Sequence, residues 1–490
     1  MDSNQAKRAT ISGTIWKFAE RSLAQIVSLI VSIILARILS PDDYSVVGIV
    51  TIFFVFANVI ISGGLNSALI QKKDAEIQDY STVLVFTLLI SIGLYLILFF
   101  LAPLISELYE MPILTSVIRV MGLILVFNAF KSVICAYVSN KLLFRKFFVA
   151  TLFGTIVSAV VGIIMAIKGY GCWALVVQQM TNSLIDTIVL FLVVNIKFSF
   201  KFSFNRFKQL FSYGWKIFVS SLIGTIYDET TPLIIGLKYS KADLAYYTKG
   251  SSFPNFINST LSDTFSAVLF PVMSKMQDDK KQLLSYLRKF MQMSTFIIFP
   301  LMLGFFAISD NFVYVLLTEK WMSAAVYIRI FCVANMLTII QKGNIQVIKA
   351  IGRSDITLIL EIVKKTLYLF VLLFFIFAFN DPVFLAVSVI ATSIIATIVN
   401  AFPNKKLIGY GYFLQIKDMG LNFLTAVIMA IGVYLLNLLP VSKVLLLIIQ
   451  IIAGMIIYFL INYIIKNSSM ISIIEEVKKM KNKEDNSHEQ

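Results

Sequence analysis

Apolar residues dominate this chain in long unbroken runs, and polar residues collect in short gaps between them. A helix that crosses a bilayer needs roughly 20 mostly apolar residues. Measured by that length, about fourteen segments qualify. They cover 12–36, 45–68, 81–104, 116–138, 148–168, 173–195, 210–236, 244–273, 289–308, 323–347, 356–379, 383–402, 419–439 and 444–465. The runs are continuous rather than alternating, which argues against an outer-membrane barrel. The pattern predicts an all-α polytopic membrane protein.

Composition agrees with the pattern. The chain is 58% hydrophobic and only 14% charged, whereas soluble domains average about 45–50% apolar and about 25% charged. No cleavable signal peptide is evident, because the first apolar segment is too long and lacks a small-residue cleavage site.

Lysine and arginine mark alternate connections. Lys72 and Lys73, Lys141 to Lys146, Lys197 to Lys208, Lys275 to Lys289, Lys405 to Lys417 and the tail beyond Lys466 fall on one side. Only Arg37, Lys168, Lys238, Lys241, Lys320 and Lys443 fall on the other. The bias predicts cytoplasmic N- and C-termini. It also accounts for the net charge of +15 as topology beside an anionic leaflet, and no nucleic-acid motif is present. The tail turns polar after about residue 475 and reads as disordered at its end.

Several chemistries are excluded. The single histidine, His488, lies in the tail, which removes histidine triads and histidine metal sites. Cys135, Cys172 and Cys332 are far apart and read as small core residues without disulfides. No Walker A sequence is present, so a transport cycle would draw on an ion gradient, the membrane potential or the substrate's own gradient. No cofactor is implied; H⁺ or Na⁺ are the candidate coupling ions.

Two pairs of segments resemble one another. "ARILSPDDYSVVGIV" (36–50) aligns with "IGLKYSKADLAYYTKG" (235–250), matching Ser40 and Asp43 to Ser240 and Asp243. "IRVMGLILVFNAF" (118–130) aligns with "IRIFCVANMLTII" (328–340), matching Arg119 to Arg329. A parallel repeat of six helices follows. It predicts an N-terminal lobe over 1–195, a linker over 196–209, a C-terminal lobe over 210–403, helices 13 and 14 over 404–466, and a cytoplasmic tail over 467–490. The linker alternates basic and aromatic residues, as a chain at the membrane interface does.

Ionisable residues inside spans are functional candidates by default, set against internal pairing or snorkelling. In the first helix Lys17, Arg21, Gln25, Ser28 and Ser32 share one stripe, while Glu20 can pair with Lys17. In the seventh, Lys216 and Ser220 share a stripe and the adjacent Asp228 and Glu229 repel one another, which makes them candidates for ion coupling or gating. In the eighth, Lys249, Ser252, Asn255, Ser259 and Ser262 run together beside Asp263 and are read as pathway-lining, with Pro254 in mid-span expected to kink the helix. Lys131 and Lys342 are further basic candidates, and Arg119 and Arg329, near helix ends, read as snorkelling. Together with Lys364 and Lys365, these bases outnumber the acids weighed against them, namely Glu20, Asp228, Glu229, Asp263 and Glu361. A buried basic excess calls for an anionic ligand such as phosphate. The expectation is a cationic substrate cavity built from Lys17, Arg21, Lys131, Lys216, Lys249 and Lys342, with Glu20, Asp228, Glu229 and Asp263 as coupling or gating acids.

The segments "ARILSPDDYSVVGI", "GGLNSALIQKKD", "FPVMSKMQDD" and "FPLMLGFFAISDNFVYVLLTEKWMSAAVYIRIF" resemble polysaccharide transporters of the multidrug/oligosaccharidyl-lipid/polysaccharide exporter superfamily. The resemblance implies a Wzx-type flippase with two six-helix lobes around a central cavity. Such a protein moves undecaprenyl-pyrophosphate-linked oligosaccharides across the bacterial cytoplasmic membrane by alternating access, beside a polymerase and glycosyltransferases. The family shares no fixed catalytic motif, so the candidate residues rest on charge. The alternatives are a cation-coupled drug antiporter, which predicts an acidic cavity, and a lipid II flippase of the same superfamily. An enzyme on lipid-linked sugars would show a large outer loop, and the longest outer connection expected here runs only from about 309 to 322.

Overall fold

A computed structural model describes residues 26–472, apart from 73, 142 and 200, together with residue 475. Among the described residues all regular structure is helical and no strand occurs. Ten helical segments among the described residues are long and apolar enough to cross a membrane. The stripe of Lys17, Arg21 and Gln25, and Glu20 beside it, lie outside the described residues.

Two compact units divide the chain, Met1–Ala245 and Tyr246–Gln490. The first contains α1 (Ile26–Ile38), α2 (Pro41–Ser62), α3 (Leu65–Gln71), α4 (Ile77–Leu108), α5 (Ile113–Met121), α6 (Leu123–Asn140), α7 (Phe144–Ile167), α8 (Cys172–Val194) and α9 (Phe204–Lys238). Helix α10 (Lys241–Ser274) runs from the first unit into the second. The second continues with α11 (Lys280–Phe312), α12 (Ala324–Met336), α13 (Thr338–Ala350), α14 (Ser354–Ala378), α15 (Pro382–Ala401), α16 (Asn404–Ile408), α17 (Tyr412–Leu435) and α18 (Lys443–Ile464).

The two joints aligned in the sequence close in the same way. Before α2, Ser40 N and Oγ donate to Asp43 Oδ2 at 2.9 and 2.7 Å, and Asp43 N donates to Ser40 Oγ at 3.2 Å. Before α10, Ser240 N and Oγ donate to Asp243 Oδ2 at 3.1 and 2.6 Å, and Asp243 N donates to Ser240 Oγ at 3.2 Å. Each is a reciprocal cap that satisfies donors the helix start would leave open. Serine and aspartate three residues apart are what this geometry needs, so the match between the segments has a structural meaning.

Within the first unit, α7 packs along α8, α4 lies against α5 and α6, and α9 packs on α2, α3 and α4. The α3–α9 crossing is very close. Gly64 adopts φ +67°, and a Cβ built there would lie 2.1 Å from the carbonyl oxygen of Gly214, so only glycine fits.

A charge cluster holds the same region. Asp79 is fully buried at the start of α4. Lys72 Nζ donates to both of its oxygens at 2.8 Å, Arg206 Nη1 donates at 3.1 Å, and the Glu76 backbone N–H caps it at 2.9 Å. Arg206 also reaches Glu76 Oε2 at 2.7 Å. The approach to α9 is tied down in parallel: the Ser199 and Ser203 N–H groups donate to the Ser81 and Thr82 hydroxyls at 3.1 and 3.3 Å. Phe207 stacks on Phe211 and packs against Phe86 and Phe202. Residues read in the sequence as loop charges and interface aromatics therefore fasten this segment to the first unit.

In the second unit α11 is the hub, contacting α12, α13, α17 and α18. Buried amides bind the last two helices to it. Asn311 Nδ2 donates to Asn437 Oδ1 at 2.7 Å and to Gln450 Oε1 at 2.9 Å. Tyr458 Oη donates to the Phe296 carbonyl at 2.9 Å. Asn422 Nδ2 donates to the Gln292 carbonyl at 2.9 Å and to Thr295 Oγ1 at 3.1 Å, while Asn467 Nδ2 donates to Asn422 Oδ1 at 2.9 Å. A further set joins Asn344 on α13, Asn404 on α16 and Gln415 on α17, with bonds of 2.7–2.9 Å. Apolar side chains alone gain little from associating in lipid, so interhelical hydrogen bonds supply specificity.

Two stability predictions follow from these anchors. Asp79→Ala should cost about 2–3 kcal/mol. That is below the roughly 3–5 kcal/mol of a fully buried broken pair, because the Lys72 and Arg206 side chains remain 32% and 27% exposed. Asn422→Ala, which removes one acceptor of Asn467 Nδ2 and the donor to Gln292 and Thr295, should cost roughly 1–3 kcal/mol. Thermal unfolding of the purified protein in detergent checks both, and an unchanged midpoint in either variant would show that the anchor carries no stability.

Candidate functional site

The basic residues predicted to line a cavity have different surroundings. In the first unit, Lys131 on α6 forms an ion pair with Asp186 on α8. Lys216 is exposed on α9, as is Asp228, while Glu229 beside it is half-buried. In the second unit, Lys249 on α10 is buried and Lys342 on α13 is half-buried. Asp263 lies on α10, and its side chain is outside the described part of the structure.

Part of the expected basic excess is neutralised internally. Besides Lys131, Arg329 on α12 pairs with Asp310 on α11, donates from Nε to Ser309 Oγ at 2.9 Å, and stacks its guanidinium 6.0 Å from the Phe306 ring centre. In the first unit, the Arg119 guanidinium lies 4.4 Å from the ring centre of Phe99 on α4. Lys364 pairs with Glu361 one turn away at 2.6 Å. Snorkelling was the expectation for Arg119 and Arg329; the structure instead gives each an aromatic face, and gives Arg329 a carboxylate as well. Both contacts reach to the preceding helix, which a scan of local spacing does not see.

Lys249 has the most enclosed position among the described cationic candidates, at 5% exposure. Its ammonium lies 5.9 Å from the ring centres of both Phe253 and Trp321, within range of attraction to an aromatic face. Trp321 is fully buried and is held by an irregular segment. The connection expected over 309–322 is in fact helical to Phe312, followed by a π turn (Val313–Leu317) and a 3₁₀ turn (Glu319–Trp321). Between the turns Thr318 takes φ 81°, a conformation costly for a β-branched residue that persists only where surrounding contacts enforce it. Beside Lys249, a Cβ on Gly250 would stand 2.5 Å from Tyr327 Cβ, so α10 and α12 meet almost backbone to side chain.

The rest of the α10 stripe is partly self-satisfied. Ser252 Oγ donates to the Lys249 carbonyl at 2.7 Å and Ser259 Oγ to the Phe256 carbonyl at 3.1 Å. Asn255 Oδ1 accepts from Asn335 Nδ2 on α12 at 2.8 Å, and Ser262 Oγ donates to Asn258 Oδ1 at 2.9 Å. These groups give α10 a polar seam against α12 and leave Lys249 as its charged member.

The first unit has a polar core that the sequence reading passed over. Asn128 Nδ2 donates to Asn58 Oδ1 at 3.1 Å, and Ser183 Oγ donates to Asn128 Oδ1 at 2.9 Å. One turn further, the Lys131–Asp186 pair repeats the α6–α8 crossing. Asp186 is the only charged residue in α8, and that isolation in an apolar span was the available signal. Its partner lies in another span, so no local spacing linked the two.

Long apolar helices in two compact units, with cations and amides held inside them, define a multi-pass membrane protein of transporter-like fold. The solved structure of the lipid II flippase MurJ in an inward closed conformation matches 92% of this chain and 98% of its own, with a TM-score of 0.75 and 16% sequence identity. The polysaccharide biosynthesis protein family matches residues 34–326, and the chain belongs to that family. Among relatives, the succinoglycan biosynthesis transport protein ExoT of Rhizobium meliloti is 25% identical over 288 residues, covering 59% of this chain and 58% of ExoT. The lipopolysaccharide biosynthesis protein WzxC of Escherichia coli is 21% identical over 371 residues, covering 74% of each chain.

The close α10–α12 contact gives a direct check on this site. Gly250→Ala should destabilise the second unit by about 1–3 kcal/mol through overpacking and displace α10 beside Lys249. A lowered unfolding midpoint, with increased solvent quenching of tryptophan fluorescence, is the expected readout.

Proposed function

We propose that this protein is a flippase for surface-polysaccharide assembly. It translocates oligosaccharide units linked to undecaprenyl pyrophosphate across the bacterial cytoplasmic membrane by alternating access. The observation that carries this reading is Lys249, a lysine buried in a helix of a polysaccharide biosynthesis family member and faced by Trp321 and Phe253. A charge is kept at such depth only where it has work to do or a partner to hold, and a pyrophosphate is a suitable anionic partner for an ammonium.

The architecture in this reading has fourteen spanning helices, two related six-helix lobes over 1–195 and 210–403, a C-terminal helix pair, and both termini in the cytoplasm. The matching serine–aspartate caps at Ser40 and Ser240 support the repeat, as do Arg119 and Arg329, each set on a phenylalanine of the preceding helix. Lys17, Arg21, Lys131, Lys216, Lys249 and Lys342 are the candidate phosphate-binding cations in this reading. Asp228, Glu229, Glu20 and Asp263 serve gating or coupling to H⁺ or Na⁺. A polymerase and glycosyltransferases supply and use the cargo, and this chain performs no bond chemistry itself.

Lys249→Gln should reduce surface glycan roughly tenfold or more, equivalent to about 1.4 kcal/mol of lost stabilisation. Lipid-linked oligosaccharide should accumulate while the amount of membrane-inserted protein is unchanged. Wild-type glycan levels with no accumulation would refute the assignment of Lys249, and cell lysis without glycan loss on depletion of the protein would point to a peptidoglycan precursor as cargo.

A further inference from the structure

The Lys131–Asp186 pair differs from the other polar clusters in being incompletely satisfied. The Asp186 side chain is 3% exposed, and only its Oδ2 contacts Lys131. Among the described residues, Oδ1 accepts no hydrogen bond. Buried carboxylates normally use their acceptor capacity, and an exception calls for a physical reason. Lys131 is the reachable partner, with 28% of its side chain exposed.

Among the described residues, the other charges on the helices packed against α8 are remote from Asp186. Helix α8 packs on α7, α6, α5 and α2. Facing Asp186, α7 presents Gly154, where an added Cβ would lie 2.9 Å from Asp186 Cβ. The charged residues of α7, Arg145 and Lys146, belong to its first turn, about 12–14 Å away along the helix. Arg119 of α5 is engaged with Phe99. On α2 the acids are Asp42 and Asp43, and Asp43 lies beside Gly171 at the start of α8, fifteen residues from Asp186 and about 22 Å along the axis. Among the described residues, Lys131 from α6 is therefore the charged group in contact.

We propose that Asp186 and Lys131 form a proton-linked phosphate site. When an anionic phosphate group of the cargo engages Lys131, the ammonium leaves Asp186. A lone buried carboxylate is too costly to persist, so it neutralises by taking a proton from the aqueous phase onto its side chain. When the phosphate departs, the proton is released and the ion pair reforms. Charge balances at each stage: one cation is exchanged from the carboxylate to the phosphate, and one proton replaces it. Linkage makes the effect reciprocal, so protonation strengthens phosphate binding by the same factor as phosphate binding strengthens protonation. The inference rests on the flippase reading for the identity of the cargo.

The test is calorimetric titration of the full-length protein in detergent with inorganic pyrophosphate, in two buffers of different ionisation enthalpy. The wild type should take up more protons per bound pyrophosphate than Asp186→Asn, which keeps the side-chain shape. At alkaline pH, Asp186→Asn should bind pyrophosphate several-fold more tightly than the wild type, because its Lys131 is already released. Lys131→Gln should also lose the additional uptake, whereas Asp355→Asn, in an exposed pair with Arg353, should retain it. Equal proton counts in the wild type and both site variants would overturn the proposal, as would the absence of pyrophosphate binding. Restoration of surface glycan by the wild-type gene in a deletion strain of its host separates the two failures. Restored glycan with equal proton counts removes only the linkage, whereas no restoration removes the flippase reading and this inference with it.

Discussion

Burying a charge or an amide in so apolar a chain is tolerable only if the group brings its partner with it. With 58% hydrophobic residues, the fold has little other means of specifying which helices meet. Greasy faces are interchangeable in lipid, whereas a carboxylate that requires a guanidinium is selective. Asp79 shows the consequence. By accepting from Lys72 and Arg206, it fixes where α9 begins relative to α3 and α4, and the glycine crossing at Gly64 then allows the backbones to approach. The contacts of the first unit around α9 depend on that satisfied carboxylate.

In the second unit amides serve the same purpose. Asn311, Asn422 and Tyr458 bond α17 and α18 to α11 at three levels. An amide carries no net charge, so it costs less to bury than an ion, and it both donates and accepts. That makes it a suitable adhesive for helices meant to stay together. The C-terminal helix pair is thus an integral part of this unit.

Much of the architecture was legible because bilayer thickness imposes a length on every span. The all-helical class and the apolar segments follow from that ruler. The serine–aspartate spacing at Ser40 and Ser240 was legible too, since a cap is a local motif. What escaped was every interaction whose partners lie in different helices. Lys72 and Arg206 look like topology charges until Asp79 is folded between them. Arg329 looks like a snorkelling side chain until α11 brings Asp310 and Phe306 to it. Asp186 was visible as a lone acid in an apolar run, but its meaning depends on Lys131, which sequence spacing cannot supply. The count of cations against acids was therefore a poor guide to net buried charge, and Lys249 stands out only once its burial and aromatic neighbours are known.

The degree of saturation separates polar groups that hold the fold from those available for function. Asn422 and Asp79 are multiply bonded, and removing any one partner leaves a deficit that the folded state must absorb. Such clusters resist exchange because no outside ligand offers them more than they already have. Asp186 instead keeps one oxygen unused beside a partner that can be reached, so an incoming anion can compete for Lys131 at the cost of a single contact. Such an exchange can couple one ligand to another, since the energy released at one bond is reclaimed by protonation at the next. A membrane protein that binds a charged headgroup and then lets it go needs both kinds of site: saturated ones to keep its helices in register, and unsaturated ones to make binding reversible.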